Sequence, residues 1–268
     1  MPDHFGERPG FWPAIVAGAE ATSTLRFGTM TVNNDLWNPV ILARDAATAD
    51  VFTEGRIELG LGAGWRAEDY RWTGVPKDPI GTRIARLAES VAVIRGCLGG
   101  TPFDFEGVHF KVNGVEGWPR PVQVPLPIFI GGSGPRILRL AGREAEVVGI
   151  HVNLNRGGFD GLAAHDVEGR VEGVRRESAG RLPQPELHLF ILELELTPNR
   201  REAAQRVAAE LGIEVEQALE SPYLYFGTVN EVVAQIEACR ARFGISYFTV
   251  RDAHVEPFAA VVERLAGR

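Results

Sequence analysis

The sequence has few cysteines, no basic excess and no long apolar run. Its 268 residues include two cysteines, Cys97 and Cys239, far apart and each in a predicted helix, which gives a disulfide framework or a thiolate metal site little support. The formal net charge is −7, and the sequence has no cluster of Lys and Arg residues that could bind a phosphate backbone. We therefore expect no nucleic-acid partner. No run approaches the roughly 18 apolar residues of a membrane helix, and the N-terminus lacks a secretory signal pattern. We therefore expect no membrane partner and a cytoplasmic location.

The histidines lack the spacing of a metal site. They stand at positions 4, 109, 151, 165, 188 and 254, without an i,i+4 pair and without the adjacent glutamate of a zinc helix. We predict no metal. Hydrophobic residues make up 45% of the chain and charged residues 24%, which is the composition of a globular protein with a continuous core.

Strand-like and helical runs alternate along the chain, which is typical of βα units around a parallel sheet. The strands are predicted at 25–32, 57–61, 127–130, 147–151, 186–197 and 247–251. The helices are predicted at 39–52, 81–98, 137–145, 162–178 and 229–243, with a closing helix from about 257. Thr228 and Glu231 form a predicted capping box before the helix at 229–243.

The predicted architecture is one α/β domain over residues 1–268. No internal repeat, low-complexity tract or linker divides it. The pattern gives about six βα units, two short of a closed (β/α)8 TIM barrel, so the barrel is expected to be incomplete at its N-terminus. Residues 101–124 break the rhythm with Gly, Pro and aromatics and are predicted to form an inserted loop or short hairpin over one mouth.

The motif Glu58-x-Gly60-x-Gly62-x-Gly64 follows a predicted strand. Glycines at such a place let the backbone approach a cofactor without a Cβ clash. A Rossmann-like interpretation would need an acidic strand end about 20 residues later. That position falls inside a predicted helix, so the Rossmann-like interpretation ranks below the barrel. A purely structural turn lies between the two.

A second glycine turn, Gly131-Gly132-Ser133-Gly134, stands between a predicted strand and a predicted helix. Its N–H groups are placed to converge on a phosphate at a helix N-terminus, where the helix dipole also favours negative charge. The alternative is an ordinary glycine-rich βα turn.

Three collinear stretches resemble the luciferase-like monooxygenase superfamily. The first stretch comprises Asn38-Pro39-Val40 and residues 43–47 and 55–65. The second runs from residues 121–123 through 130–135 and continues at 140–143. The third runs from residues 226–228 to 244–245. The branch that the chain resembles most uses the deazaflavin coenzyme F420. The resemblance implies a (β/α)8 barrel with its site at the C-terminal ends of the strands, and a homo-oligomer.

The resemblance assigns a catalytic pair near the N-terminus. Asp3 and His4 match the Asp-His pair that closes the second strand in deazaflavin-dependent members. We therefore expect His4 to handle the proton, since imidazole titrates near neutral pH, and Asp3 to orient it. A frayed terminal histidine is the alternative. The match also implies that the family's first strand, first helix and most of its second strand are absent, about one βαβ unit of roughly 30 residues.

Further residues are implied to contact the cofactor. Met30 and Thr31 lie where members often have a non-proline cis peptide bond behind the flavin-like ring. The resemblance places the turn bordering ring and substrate at Gly62, Ala63 and Gly64, and the phosphate-cradling turn at Gly131, Gly132, Ser133 and Gly134.

Three residues are predicted to line the substrate pocket: Trp65, His151 and Asn153. Trp65 stands where the sugar-phosphate dehydrogenases of the family have a catalytic glutamate, which argues against sugar-phosphate oxidation. A packed loop aromatic at position 65 and solvated loop residues at 151 and 153 are the alternatives.

The implied function is hydride transfer between coenzyme F420 and an unknown small organic substrate. One alternative is an FMN-dependent monooxygenase on the same barrel, because the two coenzymes share the ring and phosphate geometry. The other alternative is a shortened, non-catalytic binding paralogue that keeps the glycine turns.

Overall fold

The computed structural model describes residues 1–6, 9–155 and 158–266. Its Cα positions group the chain into two compact units. The first unit consists of Met1–Gly131 with Arg143–Glu146, and the second of Gly132–Gly142 with Val147–Arg268. The single domain over residues 1–268 stays a prediction.

The first unit is built on parallel strands. Strand β3 is paired in parallel with β1, β2 and β6. In chain order the elements are α1 (Phe11–Glu20), β1 (Phe27–Gly28), β2 (Val32–Asn33), α2 (Pro39–Phe52), β3 (Ile57–Gly62), α3 (Ala67–Thr73), α4 (Ile80–Leu98), β4 (Phe103–Glu106), β5 (Lys111–Val115) and β6 (Ile128–Gly132), whose last residue belongs to the second unit.

The core of the first unit lies along β3 and α2. The side chains of Ile57, Leu59 and Leu61 on β3 are buried, as expected of a parallel strand covered on both faces. On α2 the buried residues are mostly alanines, among them Ala43 and Ala46, whose small side chains let the helix lie close to its neighbours. This packing holds the C-terminal end of β3 in place.

The second unit also has parallel strands. Strand β10 lies between β7 and β13, and β11 is paired with β12. The elements are α5 (Pro135–Glu144), β7 (Val147–Ile150), β8 (Asn153–Asn155), β9 (Gly158–Asp160), α6 (Ala164–Glu177), β10 (Glu186–Phe190), β11 (Glu193–Leu196), α7 (Arg200–Leu211), α8 (Val215–Glu220), β12 (Leu224–Gly227), α9 (Val229–Phe243), β13 (Ile245–Thr249) and α10 (Val255–Leu265).

The predicted α/β fold with parallel strands is confirmed. The helices at 39–52 and 229–243 begin and end as predicted, and the Thr228–Glu231 capping box is present. The predicted excursion at 101–124 contains the antiparallel hairpin of β4 and β5. That the barrel is incomplete at its N-terminus stays a prediction.

Two predicted strands were wrong in extent. Residues 25–32 contain β1 and the first residue of β2, interrupted at 29–31. Residues 186–197 contain two strands, because the Ile191 amide donates to Thr249 O (2.8 Å) whereas the Leu192 amide donates to Tyr223 O (2.9 Å). The chain therefore changes its neighbour between residues 191 and 192.

Other elements were not predicted. Helix α1 and strand β12 were missed, since a short apolar run such as 224–227 does not distinguish a strand from a buried helix by periodicity. The glycine-rich stretch after β7, predicted as a loop, contains the antiparallel pair β8 and β9.

Among the described residues, no helix has both the length and the apolar character needed to cross a bilayer. Nor does the described part of the chain bring three or more His, Cys, Asp or Glu side chains together as metal ligands. The absence of a metal stays a prediction.

We predict that Asn38→Ala destabilises the protein through the start of α2. The Asn38 side-chain Oδ1 accepts from the backbone N–H groups of Val40 (3.0 Å) and Ile41 (3.3 Å), which have no partner within the helix. Loss of such a cap costs about 1 kcal/mol, measured by urea unfolding. Asn38→Ser keeps a capping oxygen and is the matched control; equal stability of the Ala variant and the wild type would contradict this role.

Candidate functional site

The N-terminal segment lies beside the ends of β1 and β2. The Met1 amino group donates to Gly28 O (2.6 Å), and the Met30 amide donates to Met1 O (2.7 Å). Further along, the Asn33 amide donates to the Asp3 side-chain Oδ2 (3.2 Å). These bonds hold Asp3 and the following residue next to the C-terminal end of β2.

Asp3 bonds to other groups than predicted. Its Oδ2 also accepts from the indole Nε1 of Trp37 (2.8 Å). Burial raises the pKa of Asp3, and the hydrogen bonds from Trp37 and Asn33 oppose that shift. The prediction that Asp3 orients His4 is therefore corrected: the Asp3 carboxylate holds the indole and the β2 backbone, and the hydrogen-bond partner of His4 is a different carboxylate.

That carboxylate is Asp69, in the first turn of α3. His4 Nδ1 lies 2.7 Å from Asp69 Oδ2, and the side chains are 24% and 1% exposed, respectively. Asp69 Oδ1 accepts from the Phe5 amide (3.4 Å) and lies 3.6 Å from Arg66 Nη1. His4 is thus fixed on a buried carboxylate, which contradicts the alternative of a frayed terminal histidine.

Trp65 lies against the imidazole of His4. The two rings meet edge to face, with centroids 5.5 Å apart and planes at 89°. The Trp65 side chain is 58% exposed. It is therefore an open aromatic surface beside His4, and its role in binding substrate stays a prediction.

The peptide bond between Met30 and Thr31 is cis, as the resemblance implied. It lies in the interruption between β1 and β2, beside the glycines of β3. A Cβ at Gly60 would overlap Thr29 O, and a Cβ at Gly62 would overlap the Thr31 hydroxyl. Close packing of the strands thus already requires these two glycines, and their contact with a cofactor stays a prediction.

Two basic side chains, Arg83 and Lys77, donate hydrogen bonds to the turn after β3. Gly64 has φ +71°, and a Cβ on it would overlap Tyr70 Oη. The buried Arg83 Nη1 donates to Ala63 O (2.9 Å) and to Gly64 O, and Lys77 Nζ donates to Trp65 O (2.7 Å). These bonds fix three successive carbonyl groups, of which the first two belong to the predicted cofactor turn and the third to Trp65.

A buried hydrogen-bond network supports this turn. Tyr70 Oη donates to Asp35 Oδ2 (2.9 Å), and Asp35 Oδ1 accepts from Arg86 Nη1 (2.7 Å). Burial and Asp35 raise the pKa of Tyr70 to about 12, so the phenol is neutral at physiological pH.

Two buried amide groups, on Asn33 and Asn34, lie at the end of β2. Asn33 Oδ1 accepts from the Asp35 amide (3.3 Å) and lies 3.3 Å from Tyr70 Oη, which leaves Nδ2 as the free end of its side chain. Neither Asn33 Nδ2 nor Asn34 Nδ2 has a partner among the described residues. Because buried polar groups are ordinarily bonded, the two donors suit the carbonyl oxygens of a ligand.

The first unit therefore brings together Asp3, His4, Met30, Thr31, Gly62, Ala63, Gly64 and Trp65. Their roles in catalysis and in binding a coenzyme or substrate stay predictions. Sequence reasoning missed Asp69, Asn33 and Arg83. An acidic residue in a first helical turn is ordinarily explained by the helix dipole, so the sequence held no signal that distinguishes Asp69.

The second predicted glycine turn links β6 to α5. A Cβ on Gly132 would overlap Ile137, whereas no atom lies within 4 Å of a Cβ on Gly134. Pro135 is the first residue of α5, and the Leu138 amide donates to Gly134 O (3.2 Å). Phosphate binding by residues 131–134 stays a prediction.

His151 follows β7 and lies near a second buried histidine. Its amide donates to Gly132 O (3.0 Å), and its ring centroid is 6.1 Å from that of His188. Burial, reinforced by the Arg170 charge, lowers the pKa of His151 to about 4, and burial lowers that of His188. A neutral His151 imidazole does not serve as an acid at physiological pH. Its place in a substrate pocket stays a prediction, as does that of Asn153, whose backbone pairs with Asp160 in the β8–β9 hairpin.

We predict that Gly60→Ala is strongly destabilising, because the new methyl group meets the Thr29 backbone and cannot move aside. Overpacking of this kind costs about 1–3 kcal/mol, measured by urea unfolding. Gly134→Ala adds a methyl group in open space and is the matched control. Equal stability of the two variants would show that β3 does not need its glycine.

We predict that the free energy of unfolding falls as the pH drops from about 6.5 towards 4. His151 titrates near 4 when folded and near 6.5 in its ordinary state, so between these values the unfolded chain binds more protons. His151→Gln should flatten this decline in unfolding experiments at several pH values. His165→Gln, which removes an exposed imidazole from the same unit, should leave the slope unchanged; equal slopes for both variants would contradict the assignment.

The chain is similar to curated coenzyme F420 enzymes. It is 29% identical over 152 residues to the F420-dependent glucose-6-phosphate dehydrogenase of Amycolatopsis mediterranei strain U-32, over 54% of this chain and 45% of that protein. The enzyme of the same name from Microbacterium testaceum strain StLB037 is 27% identical over 96% of this chain and 75% of its own length. The chain spans about half the length of most of these curated relatives.

The fold is also found among solved structures. An F420-dependent secondary alcohol dehydrogenase in complex with an F420-acetone adduct superposes with a TM-score of 0.77 at 18% identity, over 98% of this chain and 87% of that one. The profile of the family described as "Luciferase-like monooxygenase" matches residues 1–165. The chain belongs to the luciferase-like monooxygenase family.

Proposed function

We propose that the protein is an oxidoreductase that transfers a hydride between coenzyme F420 and a small organic substrate. The observation that carries this proposal is the fixed His4 imidazole, which is bonded to a buried carboxylate and meets the exposed ring of Trp65 edge to face. Three curated relatives carry F420 dependence in their names, and all three are named as glucose-6-phosphate dehydrogenases. The family resemblance places the catalytic glutamate of the sugar-phosphate dehydrogenases at position 65, where this chain has Trp65 without a carboxylate, so we propose another substrate class.

The residues at the end of β2 fit a flavin-like ring. Such a ring carries carbonyl oxygens on one edge, and the buried Nδ2 groups of Asn33 and Asn34 are two donors without a described partner. Either coenzyme, F420 or FMN, would present these carbonyl groups, so the fit supports the ring and not the choice between them.

The chain's own residues have distinct tasks in the proposed reaction. The coenzyme, when bound, supplies hydride transfer. His4 accepts or donates the proton that accompanies the hydride at a substrate oxygen, which contributes typically 10²–10⁴-fold to such a rate. Arg83 and Lys77 hold the carbonyls of residues 63–65, so the turn beside the substrate keeps its position.

Coenzyme titration distinguishes the proposal from a monooxygenase, the activity in the family's name. Purified protein is titrated with F420 and with FMN and followed by coenzyme fluorescence. F420 should bind more tightly, and the bound coenzyme should be reduced by an alcohol substrate without oxygen uptake. Tighter binding of FMN together with oxygen uptake in its reduced form would establish the monooxygenase. Failure of both to bind folded protein would favour a non-catalytic paralogue.

We predict that Ser133→Asp weakens coenzyme binding. A carboxylate in the turn between β6 and α5 repels a phosphate. Ser133→Asn is the matched control, because asparagine has nearly the shape of aspartate without its charge. The dissociation constant should rise at least ~10-fold for Asp, equal to ~1.4 kcal/mol, and far less for Asn. Unchanged affinity of the Asp variant would remove residues 131–134 from the phosphate site.

A further inference from the structure

We propose that Asp69 is a positioning residue for His4, holding the imidazole with its Nδ1–H on the carboxylate so that Nε2 is the nitrogen that exchanges the proton. The inference rests on the proposed function for its catalytic meaning. Its structural part concerns only residues of the first unit.

Both oxygens of the Asp69 carboxylate are in contact with neighbouring groups. Asp69 Oδ2 lies 2.7 Å from His4 Nδ1, and Oδ1 is held by the Phe5 amide at 3.4 Å and by Arg66 at 3.6 Å. The Asp69 side chain is 1% exposed. These contacts engage both oxygens of the carboxylate and hold it beside the ring.

The contact with Asp69 determines which ring nitrogen of His4 carries the proton. A carboxylate oxygen accepts hydrogen bonds, so the short contact requires that Nδ1 be the donor. In a neutral imidazole the other nitrogen, Nε2, is then the acceptor. The hydrogen bond to one ring nitrogen thus determines the tautomer of the imidazole. In this way a buried carboxylate determines which nitrogen of a histidine exchanges a proton.

The carboxylate nearest to His4 in sequence is bonded to other groups. Asp3 precedes His4 directly, but its carboxylate bonds the Trp37 indole at 2.8 Å and the Asn33 amide at 3.2 Å. Asp69 stands 65 positions from His4 and meets it only because α3 follows the turn at residues 62–65. The turn thus places both Trp65 and the partner of His4.

The main test is the tautomer of His4, read from the imidazole ¹⁵N chemical shifts of coenzyme-free protein near pH 9, where histidines are ordinarily neutral. His4→Asn identifies the His4 signals by their loss. Wild-type protein should carry the proton on Nδ1. A proton on Nε2 in the wild type would overturn the proposal, whatever becomes of any variant.

Asp69→Asn then tests the cause. An amide offers N–H groups that pair with an unprotonated Nδ1, so the proton should move wholly or in part to Nε2. Glu68→Gln is the matched control, because it removes an exposed carboxylate from the same turn of α3 and should leave the wild-type tautomer. Asp69→Glu should restore it. A wild-type tautomer in folded Asp69→Asn, or an equal change in Glu68→Gln, would contradict the proposal.

Kinetics separate this inference from the proposed function. With F420 and an alcohol that the wild type oxidises, Asp69→Asn should lower kcat by roughly 10²-fold, the size of a lost proton-transfer contribution, with little change in coenzyme affinity. A kcat equal to that of Glu68→Gln would overturn the positioning role. If wild-type protein does not bind F420, the proposed function fails, and the tautomer experiment still decides the bond between Asp69 and His4.

Discussion

The close approach of β3 to residues 29–31 is the constraint on which the candidate site depends. Thr29 Oγ1 donates to Gly60 O (2.9 Å) and accepts from the Gly60 amide (2.8 Å), so one hydroxyl satisfies both groups of a buried residue. A side chain at position 60 would separate the two segments. Because Met30 in turn bonds Met1, the same contact determines where the N-terminal segment lies and, with it, His4.

Each buried charged side chain of the site has its own hydrogen-bond partners. Asp69 meets His4, Asp35 meets Arg86 and Tyr70, and Arg83 bonds backbone carbonyls. A buried charge is tolerated only where such partners exist. The Asn33 and Asn34 amides are different, because their buried donors are left without a described partner. The site is therefore rigid around the histidine and the turn and still open to hydrogen bonds at the end of β2.

The parts of the fold that sequence predicted are those fixed by local chemistry. Helix α2 begins at a capping asparagine followed by proline, and α9 begins at a capping box, so both could be placed to the residue. The break at residues 29–31 and the change of neighbour at residue 191 depend on distant strands, and nothing local marks them. The same holds for the site: Asp3 and His4 were found through a family resemblance, whereas Asp69 becomes a partner only through the turn after β3.

The central claim is that coenzyme F420 binds beside His4, and the most direct measurement follows the ¹⁵N-labelled imidazole signals of wild-type protein during titration with the oxidised coenzyme. The account predicts that the His4 signals shift saturably with F420, with the same dissociation constant as coenzyme fluorescence gives, while the exposed His165 does not respond. Binding by fluorescence that leaves His4 unchanged, or no binding at all, would contradict it.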